Sequence, residues 1–221
     1  MKDFFLEPRF FESQDWATVL FVGSFLLIAA ARGIFEPRFS DFSKLAFSDK
    51  YIKIYRDSGN VVSWFTIILF VVQAVSFSFF IQISLSYLGV VSKMDWVVFV
   101  RIFTLLSVFV LSKYLIEKII ATAFNVEEFT EQFNLQKVSY RTYVGMLLLP
   151  LNVVLFYNDN IPDFLIYIVI IVILLINIAT YLLSLKNYQN LILSKLFYFI
   201  LYLCALEIAP YYFIYYWFTN R

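Results

Sequence analysis

Six long apolar runs constrain what this chain can fold into. Each run is at least 18 residues long and contains few charges. A bilayer core about 30 Å thick is crossed by roughly 20 residues of α-helix, so each run is long enough to cross it. The runs are continuously apolar and lack the alternation of barrel strands. The sequence therefore predicts an all-α, polytopic membrane protein with six transmembrane helices, at residues 16–35, 61–88, 96–114, 140–157, 164–185 and 196–218.

The composition agrees with lipid as the solvent. The chain is 62% hydrophobic and only 15% charged, whereas soluble domains are about 45–50% apolar and about 25% charged. Residues 1–15 mix acidic with basic residues and contain no short apolar core ending in a small-residue cleavage site, unlike a secretory signal. We expect an interfacial N-terminal segment at residues 1–15 and a single transmembrane domain at residues 16–221.

Several functional classes are disfavoured by the residue types. A net charge of +1 argues against nucleic-acid binding, which requires a basic face. The chain has no histidine, which removes the commonest zinc ligand and the usual general base. One cysteine, Cys204, excludes an intrachain disulfide, and phosphate-binding glycine motifs are missing. We therefore predict no enzymatic activity, no cofactor and no metal.

Basic residues are concentrated in three of the connections between runs. These connections, at residues 32–56, 113–141 and 186–195, hold twelve of the 17 lysines and arginines. The positive-inside tendency places them in the cytoplasm and both termini in the periplasm. Two connections contain amphipathic patterns, at residues 43–60 and 125–140. The first pattern predicts an interfacial helix, and the second predicts a cytoplasmic extension of the third transmembrane helix.

Two ionisable residues fall inside the predicted spans. Glu207 lies near the middle of the sixth run, and Arg101 lies five residues into the third. Such residues are costly in lipid and indicate either a function or a buried partner. An Arg101–Glu207 ion pair is the first interpretation, and a protonated, hydrogen-bonded Glu207 is the second. A proton or ion relay is the functional alternative, and it would normally need more titratable groups in line.

Prolines and polar residues indicate how the helices pack. Pro150 and Pro210 each remove a helical N–H and predict kinks in the fourth and sixth helices. Amide and hydroxyl side chains on one helical face typically form interhelical hydrogen bonds. The residues predicted to do so are Gln73, Asn177, Thr180 and Ser184.

The tetrapeptide EPRF occurs twice, at residues 7–10 and 36–39, on either side of the first run. A proline there can begin or end a helix, while the arginine and phenylalanine lie at the membrane interface. Because no wider similarity surrounds the two copies, we interpret them as interfacial anchors that arose separately and not as a domain repeat.

The C-terminal stretch YLCALEIAP resembles the signature of a family of uncharacterised Bacteroidota inner-membrane proteins, Tyr-Leu-Cys-x-x-Glu-Ile-x-Pro. The matching residues are Tyr202, Leu203, Cys204, Glu207, Ile208 and Pro210. The stretch YRTYVGMLLLP at residues 140–150 is also similar. The resemblance implies an integral cytoplasmic-membrane protein with several helices, and it brings no activity, cofactor or substrate.

Three functional hypotheses follow. The leading one is a non-catalytic subunit or scaffold of a bacterial envelope complex, in protein export or envelope assembly, with lipid and other membrane or envelope proteins as partners. The second is a small transporter or channel lined by Glu207 and Arg101. The third, a lipid-modifying enzyme, would need carboxylates clustered at one interface. The dense acidic group at Glu127, Glu128 and Glu131 is typical of a solvated helix face.

Overall fold

The computed structural model describes residues 14–45, 50–55, 63–123, 127–158 and 163–187. Within these ranges all regular secondary structure is α-helical, which confirms the all-α part of the predicted fold class. The helices are α1 (Asp15–Ile34), α2 (Glu36–Ser43), α3 (Lys50–Tyr55), α4 (Trp64–Tyr87), α5 (Trp96–Ala123), α6 (Glu127–Tyr157) and α7 (Asp163–Asn187).

Four stretches in the described part of the chain are long and apolar enough to cross a membrane. They are Asp15–Ile34, Trp64–Tyr87, Trp96–Ala123 and Phe133–Tyr157, and they overlap the first four predicted spans. The predicted fifth span corresponds to a shorter apolar stretch of α7, Phe164–Thr180. The predicted sixth span, at residues 196–218, lies outside the described residues.

The four long helices alternate in direction, so the bundle has two distinct ends. Trp16 in α1 donates from Nε1 to the carbonyl oxygen of Met94, in the α4–α5 turn, over 3.2 Å. We call this the Trp16 end. At the opposite end, Phe42 in α2 packs edge-on against Phe65 at the start of α4, with ring centroids 5.8 Å apart. We call this second end, which also contains α3, the Arg38 end.

An aromatic cluster holds the Trp16 end together. The rings of Phe21 and Phe79 stack at 4.2 Å between α1 and α4. Phe99 of α5 lies 4.5 Å from Phe79, and Phe156 of α6 packs edge-on against the same ring at 5.7 Å. These four phenylalanines are buried, and together they join the four long helices through α4.

Gln82 of α4 fixes the short turn that leads to α5. Its side chain is fully buried, and its Nε2 lies within hydrogen-bonding distance of three turn carbonyls: those of Ser92 at 3.1 Å, Lys93 at 3.3 Å and Asp95 at 2.8 Å. The turn begins at Gly89, whose φ of +72° lies in the left-handed region that glycine tolerates. A single amide side chain thus connects α4 to the start of α5.

The structure corrects the prediction for residues 125–140. This stretch is not an extension of the third transmembrane helix, because residues 127–140 form the first half of α6, which continues without a break to Tyr157. No glycine or proline occurs between residues 127 and 144, so the helix has no reason to stop where the apolar run begins. With 28 and 31 residues, α5 and α6 are about 42 and 46 Å long, more than the bilayer core requires.

The predicted interfacial helix at residues 43–60 is represented by α3 alone within the described residues. Tyr51 and Ile52 of α3 are buried against the bundle, and Lys53 and Ile54 are exposed. The second EPRF copy begins α2, with Pro37 in its first turn, where a missing N–H costs no helical hydrogen bond.

Candidate functional site

A polar seam joins α4 to α6 inside the bundle. The Thr142 hydroxyl donates to Oε1 of Gln73 over 2.8 Å, and both side chains are buried. One turn further along α6, a Cβ added to Gly145 would lie 2.9 Å from Cγ and 3.1 Å from Cα of Gln73. The helices therefore approach closely at Gly145 because this residue has no side chain.

Asn152 extends the seam towards the Trp16 end. Its Nδ2 donates to the carbonyl oxygen of Ser76 over 2.6 Å and lies 3.2 Å from the Ser76 hydroxyl. Both residues have no exposed surface. A helical backbone carbonyl in lipid has few alternative donors, so this amide bond ties α6 to α4.

Arg38 occupies an aromatic cage at the Arg38 end. Its guanidinium carbon lies 4.8 Å from the ring centroid of Tyr55, 5.0 Å from that of Phe65 and 6.0 Å from that of Tyr51. Nη1 also donates to the Ser63 hydroxyl over 2.8 Å, and that hydroxyl caps α4 by accepting from the N–H of Thr66. Through these contacts, Arg38 connects α2, α3 and the start of α4.

Burial in this cage raises the pKa of the Tyr51 phenol above its usual value of 10.0, and the positive charge of Arg38 opposes part of that increase. The neutral phenol is therefore the favoured form at physiological pH.

A polar cleft opens between the extended parts of α5 and α6, also at the Arg38 end. It has a volume of about 250 Å³, and we call it the α5–α6 cleft. Its lining residues are Tyr114, Lys118, Ala121, Thr122, Glu127, Thr130, Glu131 and Asn134. The lining contains an ammonium, carboxylates, hydroxyls and an amide, so the cleft suits a polar or charged group and not an acyl chain.

A smaller groove adjoins the cleft on the side nearer the apolar spans. We call it the basic groove, and it is lined by Val110, Lys113, Tyr114, Glu117, Asn134, Lys137, Val138 and Arg141. Within it, Lys137 Nζ lies 3.7 Å from Oε1 of Glu117. Glu117 is buried, and a charge in such a position is stable only beside an opposite charge.

The sequence profile of a domain of unknown function, DUF4271, matches residues 17–218. The chain belongs to the DUF4271 family. This match confirms the resemblance to a family of uncharacterised proteins, and it includes all the long helices of the bundle. No curated protein and no solved structure matches the chain.

The predicted Arg101–Glu207 pair of this DUF4271 protein stays a prediction. Arg101 is exposed on α5, on the surface left by the other described helices. Glu207 and Pro210 lie outside the described residues, as does the rest of the C-terminal signature. The cation at Arg101 is therefore open to contact from lipid, from the remainder of the chain or from another protein.

The other predicted site residues have varied environments. Gln73 lies in the seam, bonded to Thr142. Asn177 and Thr180 donate to the carbonyl oxygens of Ile173 and Ile176, so these hydrogen bonds stay within α7. The side chain of Ser184 lies outside the described residues. Pro150 is exposed within α6 and does not end the helix.

Sequence reasoning missed several members of these sites. Asn152 was not among the predicted interhelical residues, although it donates a hydrogen bond to α4. Arg38 was assigned to the membrane interface, and its only sequence signal was the repeated EPRF. The Glu117–Lys137 pair joins α5 to α6. Their opposite charges near the ends of adjacent apolar runs could have indicated it.

Proposed function

We propose that this DUF4271 protein is a non-catalytic subunit or scaffold of a bacterial envelope complex, in export or envelope assembly. In this proposal it resides in the inner membrane, with the Arg38 end in the cytoplasm and both termini in the periplasm. The observation that carries the proposal is the α5–α6 cleft, because it is a polar surface at the end of two helices that exceed the bilayer thickness.

The chemistry of the cleft supports binding of a polar partner segment. Lys118 and Glu131 line the same cavity and present opposite charges, which favours an oriented contact with a complementary pair on another protein. The basic residues of the connections at this end support its cytoplasmic placement.

The surface of α5 supports a subunit role as well. Along this helix the large apolar side chains are widely exposed, with Leu105 at 68% and Ile119 at 67%. The Leu105 surface suits lipid, a transmembrane helix of a partner or the remaining part of the chain. Ile119 lies in the part of α5 that also lines the cleft but on another face of the helix, and an exposed apolar side chain there suits contact with a partner.

A photo-crosslinking experiment tests this proposal. A photoreactive amino acid is placed at exposed Thr122 in the cleft, with a matched position at exposed Val97 at the Trp16 end as the control. We expect one discrete protein adduct from Thr122 in cells, its loss in a Lys118→Glu/Glu131→Lys variant, and no such adduct from Val97. A protein that forms no adduct from the cleft and purifies alone in mild detergent would contradict the scaffold role.

Measurement of transport distinguishes the transporter hypothesis from the scaffold hypothesis. Arg101→Leu and Glu207→Gln are made separately, and flux in proteoliposomes is measured alongside recovery of the crosslinked partner. Loss of flux with the partner still recovered would favour the transporter. Loss of partner or of folding, without any measurable flux in the parent protein, agrees with the scaffold.

A further inference from the structure

We propose that the basic groove binds the phosphate group of an anionic membrane phospholipid. The cations that would contact the phosphate are Lys113 on α5 and Lys137 and Arg141 on α6. Among the described residues that line the groove, Glu117 is the one carboxylate. This lipid site adjoins the proposed partner contact, but its cations do not line the cleft and the inference does not depend on that contact.

The charges of the groove favour an anion. Three basic side chains face one carboxylate, which leaves an excess of two positive charges. Glu117 is already next to Lys137, at 3.7 Å. An ammonium has three N–H donors, so Lys137 can keep this ion pair and also donate to a phosphate oxygen. The planar guanidinium of Arg141 can donate two parallel N–H bonds to a phosphate.

The groove lies at the depth of lipid headgroups. Lys113 lies at the end of the predicted third span, and Arg141 lies at the start of the predicted fourth span. A phosphate held between them would be at the boundary where basic side chains meet anionic lipids. Tyr114 follows Lys113 directly, and Tyr140 and Tyr143 lie on either side of Arg141 in the sequence. Tyrosines are typical of this boundary.

The surface below the groove identifies the ligand as a lipid and not a soluble phosphate. On α5, the side chains that lead up to Lys113 on the groove-lining face, at helical spacing, are apolar and partly exposed: Phe103, Leu106 and Val110. An acyl chain attached to a phosphate in the groove can lie along these residues. Inorganic phosphate would gain nothing from them, so the apolar surface and the basic groove together favour an amphiphile.

Native mass spectrometry of the purified full-length protein in neutral detergent tests the proposal. Phosphatidylglycerol and phosphatidylcholine are added separately at limiting concentration, and millimolar inorganic phosphate is then added as a competitor. The test variant is Lys113→Ser/Arg141→Ser. The control is Lys44→Ser/Lys53→Ser, which removes two exposed charges from α2–α3. We expect phosphatidylglycerol to form a 1:1 adduct more tightly than phosphatidylcholine. Removal of one basic side chain should weaken the affinity for phosphatidylglycerol about fivefold, so the test variant should bind it about 25-fold more weakly than the parent. The affinity of the control variant should stay within about twofold of that of the parent.

Three results would overturn the proposal. The first is equal binding of phosphatidylglycerol and phosphatidylcholine, and the second is an equal loss of binding in the control variant. The third is displacement of phosphatidylglycerol by millimolar inorganic phosphate, which would assign the groove to a soluble phosphate. If the double variant does not purify as a folded protein, Lys113→Gln alone replaces it. An expected weakening of about fivefold supports the site, and an unchanged affinity refutes it.

Discussion

The hydroxyl of Thr142 and the amide oxygen of Gln73 form a 2.8 Å hydrogen bond between α6 and α4, within a fully protein-lined environment. This bond lies beside a close approach of the two helices, at Gly145. It therefore combines a polar contact with close backbone packing, which are the two sources of helix association available in lipid.

The Gln73–Thr142 bond can be measured with a double-mutant cycle. We expect Thr142→Val and Gln73→Leu each to lower the free energy of unfolding by about 1 kcal/mol, since each leaves a buried polar group without its partner. The double variant should lose less than the sum of the two. Unfolding in mixed micelles provides the free energies, and strictly additive losses would mean that the two residues are not energetically coupled.

Gly145 offers a test of close packing with a matched glycine as control. A methyl group at Gly145 would contact the backbone and side chain of Gln73, whereas one at Gly23 in α1 has no atom within 4 Å. We expect Gly145→Ala to destabilise the protein by about 1–3 kcal/mol. Gly23→Ala should be neutral or stabilise it by up to about 1 kcal/mol. Equal stability of the two variants in mixed micelles would contradict the described spacing of α4 and α6.

Arg38 should govern the attachment of α2 and α3 to the bundle. Arg38→Met keeps much of the side-chain length but removes the contacts with the aromatic rings and with Ser63. We expect a loss of about 1–3 kcal/mol, combining a cation–π contribution with a charged hydrogen bond. Hydrogen exchange of residues 50–55 should accelerate accordingly, while exposed Arg32→Met should leave it unchanged. Unaltered hydrogen exchange in the Arg38 variant would show that the aromatic cage does not hold α3 against the bundle.

We expect the buried phenol of Tyr51 to make the folded protein less stable at high pH. Burial raises the pKa of its phenol in the folded protein above 10.0, so the unfolded chain ionises first as the pH rises. The stability contributed by the neutral phenol is complete below pH 10 and is lost as the pH rises towards and through the folded-state pKa. Tyr51→Phe should therefore flatten the decline in thermal stability between pH 9 and pH 11, by comparison with the parent protein. An identical decline in both proteins would show that Tyr51 does not contribute to it.

The sequence predicted features that depend on local hydropathy. Runs of apolar residues identified α1, α4, α5 and the apolar half of α6, because crossing a bilayer requires a length that can be read directly from the chain. The amphipathic pattern at residues 125–140 predicted a helix but assigned it to the third span, and residues 127–140 instead form the first half of α6. The fall in hydropathy before residue 140 marks the end of the apolar run and not the end of the helix.

Pairings between helices were less predictable. Gln73 was selected as an interhelical residue from its type, but nothing in a single sequence relates it to Thr142, 69 residues away. Arg38 required the fold of three segments at once before its aromatic neighbours could be identified. A residue type indicates that a partner is needed, and only the packing of the helices specifies which partner it is.

The hydrogen bonds from Gln82 to the α4–α5 turn also set the axial register of α5 against α4. Because one buried amide lies close to three carbonyl oxygens of the turn, those peptide groups do not each need water, and the turn can sit close to the hydrocarbon boundary. These hydrogen bonds thereby fix the depth of α5 in the bilayer relative to that of α4. Residues inserted between 88 and 95 would shift α5 along the membrane normal and carry Lys113 of the basic groove away from Arg141 on α6.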